Sequence, residues 1–264
     1  MSARGRQQDG IKLPRFFKRL LKFPQMDFEM SMREMLDLMI APKKVFRNVY
    51  YHKQTKNTWH RPDPSFTYLL SFFMALTGIA WGVWAGAGAT GVLQLTIVYV
   101  FGHFLAFSLT FATIAYFLVG KFLGPGIAGL PRRRRQTGLF IAANERETLE
   151  FGYCFDVSIR AFFPVWVLLY VLQFIILPLI RGENVVSRLF GNTLYLVALG
   201  YYTVITFLGY SALPFLHHTE LLLSPLVVFG IFWFVSLFGF NIPNHFSGIM
   251  ILGSGIGRDN GPNI

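Results

Sequence analysis

Apolar positions along this chain follow two patterns. From Ser65 to Phe240 they gather into five long runs almost free of charge; before Ser65 they recur at helical spacing among basic residues. The runs predict five transmembrane helices, at about Ser65–Ala85, Val92–Val119, Phe162–Ile180, Thr193–Leu213 and Leu221–Phe240. The third is the clearest. Its 19 uncharged residues at ~1.5 Å each reach about 28 Å, close to the ~30 Å of a bilayer's hydrocarbon core. The second is longer than a bilayer needs, so it is expected to tilt or to end in the interface. Gly86–Gly91 is too short and apolar for anything but a tight hairpin. The fold class is therefore an all-α integral membrane protein with five transmembrane helices and amphipathic helices at the N-terminus.

The N-terminal region, residues 1–64, carries three helical patterns. Between Pro14 and Phe23, Phe16, Phe17, Leu20 and Leu21 share a face ringed by Arg15, Lys18, Arg19 and Lys22, as expected of a basic helix lying on an anionic membrane surface. Asp27–Ala41 places Phe28, Met32, Met35, Leu36 and Met39 at helical spacing, with Glu29, Arg33, Glu34 and Asp37 largely opposite. A methionine-rich face of this kind reads as packing against a neighbour. Pro42 then opens a short helix with Val45, Phe46, Val49 and Tyr50 on one face and Lys43, Lys44, Arg47 and Lys53 on the other.

Charge sets the topology. With 53% hydrophobic and 14% charged residues and a mean hydropathy of +0.47, the composition is that of a membrane protein. Five spans put the termini on opposite sides. The side holding residues 1–64, the loop 120–161 and the turn Pro214–Glu220 carries 21 of the 24 Lys and Arg, so the positive-inside rule makes the N-terminus cytoplasmic and the tail 241–264 lumenal. The first sixty residues hold no signal-peptide core, so the expectation is that the N-terminus is not translocated.

Few groups carry candidate chemistry. Asn144 and Glu147 resemble a capping box that starts a helix running into the third span. On that helix Asp156 and Arg160 are spaced for a structural ion pair, which lets two charges approach lipid. His103, inside the second span, is expected to be neutral and bonded to a backbone carbonyl. His217, His218 and Glu220 are the nearest approach to a metal cluster, but adjacent histidines in a seven-residue turn rarely close a site; His60 and Asp63 are weaker still. Cys154, the single cysteine, reads as a small buried hydrophobe. No catalytic constellation, cofactor motif or metal site is legible, and the chain reads as a non-enzyme. The run Arg132–Arg135 (Arg132, Arg133, Arg134, Arg135) offers phosphate contacts, to lipid headgroups or to RNA.

Three segments, APKKVFRNVYYHKQTKNTWHRPDPSF (41–66), EFGYCFDVSIRAFFPVWVLLYVLQFII (150–176) and GNTLYLVALGYYTVITFLGYSALPFL (191–216), resemble the Unc-fifty family of eukaryotic Golgi membrane proteins, which is more distantly similar to the five-span Yip family. The resemblance implies a non-enzymatic, multi-pass protein of the Golgi, and also of the endoplasmic reticulum or nuclear inner membrane. It further implies association with large Arf guanine-nucleotide exchange factors, traffic of membrane cargo such as multisubunit receptors, and RNA binding. The leading expectation is an adaptor whose partner-binding surface is Lys43, Lys44, Val45, Phe46, Arg47, Tyr50 and Lys53. The alternatives are an intramembrane cargo chaperone or lipid-handling protein with a cavity lined by His103, Asp156, Arg160 and Gln173, and an RNA-binding protein acting through its basic segments.

Overall fold

The computed structural model of the chain describes residues 27–48, 59, 64–124, 149–180, 182 and 184–243. Among the described residues there is no strand. Two short helices come first, α1 at Phe28–Ile40 and α2 over residues 42–48. Five helices long and apolar enough to cross a membrane follow: α3 at Ser65–Trp84, α4 at Ala89–Phe122, α5 at Phe151–Ile175, α6 at Val185–Ser211 and α7 at Thr219–Ser236, the first turn of α7 being 3₁₀.

Several bounds differ from the sequence expectation, each for a physical reason. The helix expected to run from near Asn144 into the third span is described from Phe151, and the charged residues Asp156 and Arg160, ahead of the uncharged run that opens at Phe162, lie within the bundle with their charges matched. It stops at Ile175 and restarts as a short turn, Leu177–Ile180. Pro178 has no N–H to continue the helical ladder there. The fourth helix begins at Val185 rather than Thr193, since Val185, Val186, Leu189 and Phe190 present apolar surface outward around a single arginine, Arg188. The Asn144 capping box lies outside the described residues, and α5 starts with Glu150 at its N-cap.

α5 is the centre. It packs against α1, α3, α4 and α6, and 61% of its spanning window is buried, against 6% for α7, which leans chiefly on α6 among the described residues. The remaining face of α7, with Val227, Ile231, Phe232 and Val235, is open to lipid. Lipid tails are as apolar as these side chains, so association rests on close packing and on polar groups placed between helices. Both are present.

Gly78 and Gly82, one turn apart on α3, face Thr96 and Val92 on α4. A Cβ at Gly78 would stand 2.8 Å from the Thr96 Cα, and one at Gly82 3.1 Å from the Val92 Cα. This small-x-x-x-small spacing lets the two backbones touch. Gly86 closes the hairpin with φ +68°, a conformation that costs glycine little. Between α3 and α5, Trp166 stacks on Phe73 at 5.3 Å and donates its indole N–H to Thr77 Oγ1 at 3.0 Å. Trp81 donates to the Tyr170 carbonyl at 3.0 Å. That carbonyl belongs to Trp166–Leu172, where α5 widens to π-helical pitch just after Pro164; α4 does the same over Val98–Ala106.

Two polar contacts from α6 fasten the last helix: Trp233 donates its indole N–H to Thr193 Oγ1 at 3.2 Å, and the Asn192 amide holds its end. Asn192 is fully buried in α6; its Nδ2 donates to Ser236 Oγ and the Phe240 carbonyl, both at 2.9 Å, and its Oδ1 accepts from the Ile242 N–H at 3.0 Å. Three bonds satisfy a group that would be costly to leave unpaired in hydrocarbon.

The hairpin contact makes a direct prediction. Gly78→Leu forces a side chain against the α4 backbone, an overpacking worth ~2 kcal/mol, which for a chain of this size is roughly 4–8 °C. Thermal denaturation of the detergent-solubilised protein, followed by size-exclusion chromatography after heating, is expected to show that drop, whereas Gly230→Leu on the open face of α7 leaves the midpoint unchanged.

Candidate functional site

The end of the bundle where α1 and α2 dock gathers most of the residues that the sequence singles out. α1 starts at Asp27, whose side chain accepts from the Met30 N–H at 2.9 Å, a standard N-cap bond. It ends at Ala41, held at φ −144° ahead of Pro42, because the residue before a proline is steered out of the helical region. α2 then begins.

α1 has two apolar faces, and the sequence pattern does not separate them. Met35 and Leu38 are buried against the spans, with Ser31 and Glu34 beside them; Met32, Leu36 and Ile40 point away, Ile40 being 82% exposed. The expected single methionine face is therefore split between a packed half and an open half.

α1 is also set deep. Tyr201 on α6 donates to the Met39 carbonyl at 3.0 Å, ten residues, or about 15 Å, from the end of that helix at Ser211. Arg160 on α5, nine residues or about 14 Å from Phe151, donates from Nε to Glu34 Oε1 at 2.7 Å and from Nη1 to Asp156. α1 thus sits well inside the ends of α5 and α6, above the start of the shorter α3. The exposed surface of α4 on this half is mostly apolar, with Leu109, Ile114, Phe117, Leu118 and Phe122, while Thr110 turns its hydroxyl back to the Ala106 carbonyl and Lys121 stands at the helix end.

Arg160 is the keystone of this docking. It is only 3% exposed, Glu34 8%, and its guanidinium also lies 5.6 Å over the Phe66 ring at the start of α3. One residue thereby ties α1, α3 and α5 together. The structure shows the Asp156–Arg160 pair and adds Glu34 as a third member. The signal for Glu34 was present: Ser31, Glu34, Met35 and Leu38 recur at three- and four-residue intervals, the rhythm of one buried face. The other acidic groups of α1 are matched too, Glu29 with Arg33 and Asp37 with Lys44 at 3.1 Å. An element seated among spans is favoured by such neutrality.

α2 divides the predicted partner-binding residues. Val45 and Phe46 are buried, each 3% exposed, and belong to the core; Phe46 meets Gly209 of α6, where a Cβ would stand 2.7 Å from Val157 and 3.2 Å from the Phe46 ring. Lys43, Lys44 and Arg47 face outward. Tyr50 and Lys53 lie outside the described residues, as do Arg132–Arg135, the Pro14–Phe23 segment, His60 and Asp63. Tyr153 on α5 donates to the Gly209 carbonyl, so this glycine is the meeting point of α2, α5 and α6. Cys154 is buried beside it.

His103 and Gln173 are not part of this site. His103 Nδ1 is 3.0 Å from the Tyr170 hydroxyl, rather than on a backbone carbonyl, and its ring stacks on Tyr99 at 5.0 Å. Gln173, fully buried, lies on the same level, 13 residues or about 20 Å along α5 from Arg160. The four residues expected to line one cavity therefore belong to two separate layers. His217 and His218 bend the chain between α6 and α7, His218 with φ +57° and His217 donating its N–H to the Leu123 carbonyl at 3.0 Å. Among the described residues no three His, Cys, Asp or Glu side chains come together as a metal site.

Comparison with known proteins places this arrangement. The model of the UNC-50 family matches residues 16–251. "Protein GMH1 homolog" of Schizosaccharomyces pombe is 39% identical over 227 residues, covering 86% of this chain and 92% of its own. "Protein unc-50 homolog" of Danio rerio is 36% identical over 235 residues, 88% of this chain and 85% of that protein; that of Homo sapiens is 38% identical over 221 residues, 83% and 79% respectively. No solved structure matches the chain.

Removing one partner of a buried pair leaves an unmatched charge, at ~3–5 kcal/mol. Arg160→Met, which strands two carboxylates, is expected to destabilise the protein far more than Glu34→Gln, which leaves Arg160 with Asp156. Glu34→Gln should still loosen α1: trypsin cleavage after Arg33 of the folded protein in micelles should speed up at least several-fold, with the spans intact. Unchanged cleavage would show that Arg160 does not hold α1.

Proposed function

The chain belongs to the UNC-50 family, and we propose that it is a Golgi membrane adaptor that helps recruit a large Arf guanine-nucleotide exchange factor, supporting vesicle transport and delivery of selected membrane cargo. The site residues, the partner and the compartment all belong to this reading. The observation that carries it is the outward row of Lys43, Lys44 and Arg47 on a helix whose other face, Val45 and Phe46, is locked into the membrane domain. A rigidly mounted basic face beside the bilayer needs only modest affinity to hold a soluble partner that already samples the membrane, because confinement to the surface raises its effective concentration. The strong excess of Lys and Arg on the N-terminal side of the sequence supports a cytoplasmic orientation for that face, and the relatives' names support the family's Golgi setting.

A role as a non-enzymatic scaffold also fits a bundle in which three buried polar side chains hold neighbouring elements together: Arg160 on α1, Asn192 on the segment after α7, Tyr153 on α6. The burial of Val45 and Phe46 changes which substitutions test the idea. Acidic residues there would break the core, so the informative variant alters only the exposed cations. Lys43→Glu, Lys44→Glu and Arg47→Glu together, expressed at the level of the unaltered protein, should leave the protein in the Golgi while proximity labelling of the exchange factor falls at least several-fold. Labelling that stays at the unaltered level would refute docking on α2.

A further inference from the structure

Charges at the α1–α2 end are almost all spoken for. Glu29, Glu34 and Asp37 each have a basic partner, and Lys44 is held by Asp37. Lys43 and Arg47 of α2 have neither an ion-pair nor a hydrogen-bond partner among the described residues, as has Lys121 at the end of α4, which lies over the Phe122 ring instead. Lys43 and Arg47 are spaced i, i+4 on α2, so they project side by side. Both line one groove, of about 250 Å³, whose other walls are Phe46 of α2 and Leu208, Ser211 and Ala212 at the end of α6. A single water occupies ~30 Å³, so the groove has room for a phosphate and its substituent.

Below Leu208 and Ser211, Val204 and Val197 fall on the same face of α6, at offsets of 7, 11 and 14 residues from Val197 to Val204, Leu208 and Ser211; Tyr201 stands at the edge of this face with its hydroxyl tied to the Met39 carbonyl of α1. Val197 and Val204 are exposed to the bilayer and Leu208 is half-buried. An apolar stripe on a spanning helix that ends beneath two unmatched cations matches the two-part chemistry of a lipid, with hydrocarbon below and negative charge above.

The geometry points to a binding site for an anionic phospholipid, its phosphate between Lys43 and Arg47 and an acyl chain along Val197, Val204 and Leu208. This goes beyond the adaptor reading and does not rest on it. A headgroup there would bridge α2 to the end of α6 at the point where Phe46 already packs on Gly209. It would thereby fix the orientation of the basic face. Soluble anions share the phosphate chemistry but gain nothing from the apolar stripe.

Native mass spectrometry of the full-length protein in micelles tests the site. The probes are dioleoyl phosphatidic acid, dioleoyl phosphatidylcholine with the same chains, and inorganic phosphate with none. The unaltered protein should retain phosphatidic acid at least ~10-fold more tightly than phosphatidylcholine. Lys43→Gln or Arg47→Gln alone should weaken phosphatidic acid about 5-fold and the pair about 25-fold, as expected for loss of one and two basic contacts with an anionic headgroup, with phosphatidylcholine unchanged. Ser211→Phe, which fills the groove without altering charge, should weaken phosphatidic acid as well. Lys44→Gln, outside the groove, should stay within about two-fold of the unaltered protein. The proposal is overturned if Lys44→Gln loses as much as Lys43→Gln, if Ser211→Phe keeps full affinity, if the double variant binds normally, or if inorganic phosphate at equal concentration displaces the lipid.

Discussion

A guanidinium about 14 Å inside a spanning helix needs acceptors for five N–H groups, and a single carboxylate four residues away leaves most of them unmet. Arg160 meets that demand by drawing in Glu34 from a helix 126 residues earlier in the chain. The consequences run outward from this contact. α1 is held among the spans instead of lying over them, Phe66 and the start of α3 are fixed beneath the cation, and α2 is positioned with Phe46 against Gly209. The basic face of α2 is therefore mounted on the membrane domain through the buried Val45 and Phe46 on its other side. Matched burial of this kind is weak evidence for stability as such, because desolvation of the ions offsets much of their attraction. Its stronger effect is on arrangement, since a misplaced α1 would leave Arg160 unmatched.

The remainder of the bundle follows the rules of packing in lipid. Glycines let α3 approach α4 and α5 approach α6, while indole, amide and hydroxyl groups join neighbouring helices where hydrophobicity gives no preference. The result is unequal burial. α5 is enclosed on most sides, whereas α7 and the segment after it are held to α6 by Trp233 on Thr193 and by the three bonds of Asn192. Widened π-helical turns appear on both α4 and α5 where Tyr99, His103 and Tyr170 meet. A buried polar layer there, about 15 Å along α5 from Arg160 at Tyr170, is thus distinct from the docking of α1.

Much of this was legible in the sequence. Five spans follow from five apolar runs, the α1 and α2 helices from their periodicity and from Pro42, and the Asp156–Arg160 pair from its spacing. Family membership was visible in three segments. What the sequence did not disclose is what depends on distant neighbours. Arg160 was paired with Asp156 alone because that spacing is local, whereas Glu34 lies 126 residues away on α1. Val45 and Phe46 looked available for a partner because an amphipathic face does not say what covers it; α5 and α6 cover it here. His103 was assigned a carbonyl partner because the nearest side chain able to bond it, Tyr170, lies 67 residues away. Equally, the open half of the α1 apolar arc was merged with the buried half, since periodicity gives a direction but not a boundary.

The central claim is that α1 is an integral part of the membrane domain. A 13-residue helix without tertiary contacts is marginal in water, so hydrogen exchange of its backbone distinguishes docked from free directly. Exchange of the full-length protein in micelles, followed by mass spectrometry, should show the amides of Phe28–Ile40 protected to within about ten-fold of the Phe151–Val165 amides, with Met35 and Leu38 among the slowest of α1. Exchange of α1 within seconds, while α5 stays protected, would contradict the account and leave Arg160 without the partner on which this arrangement depends.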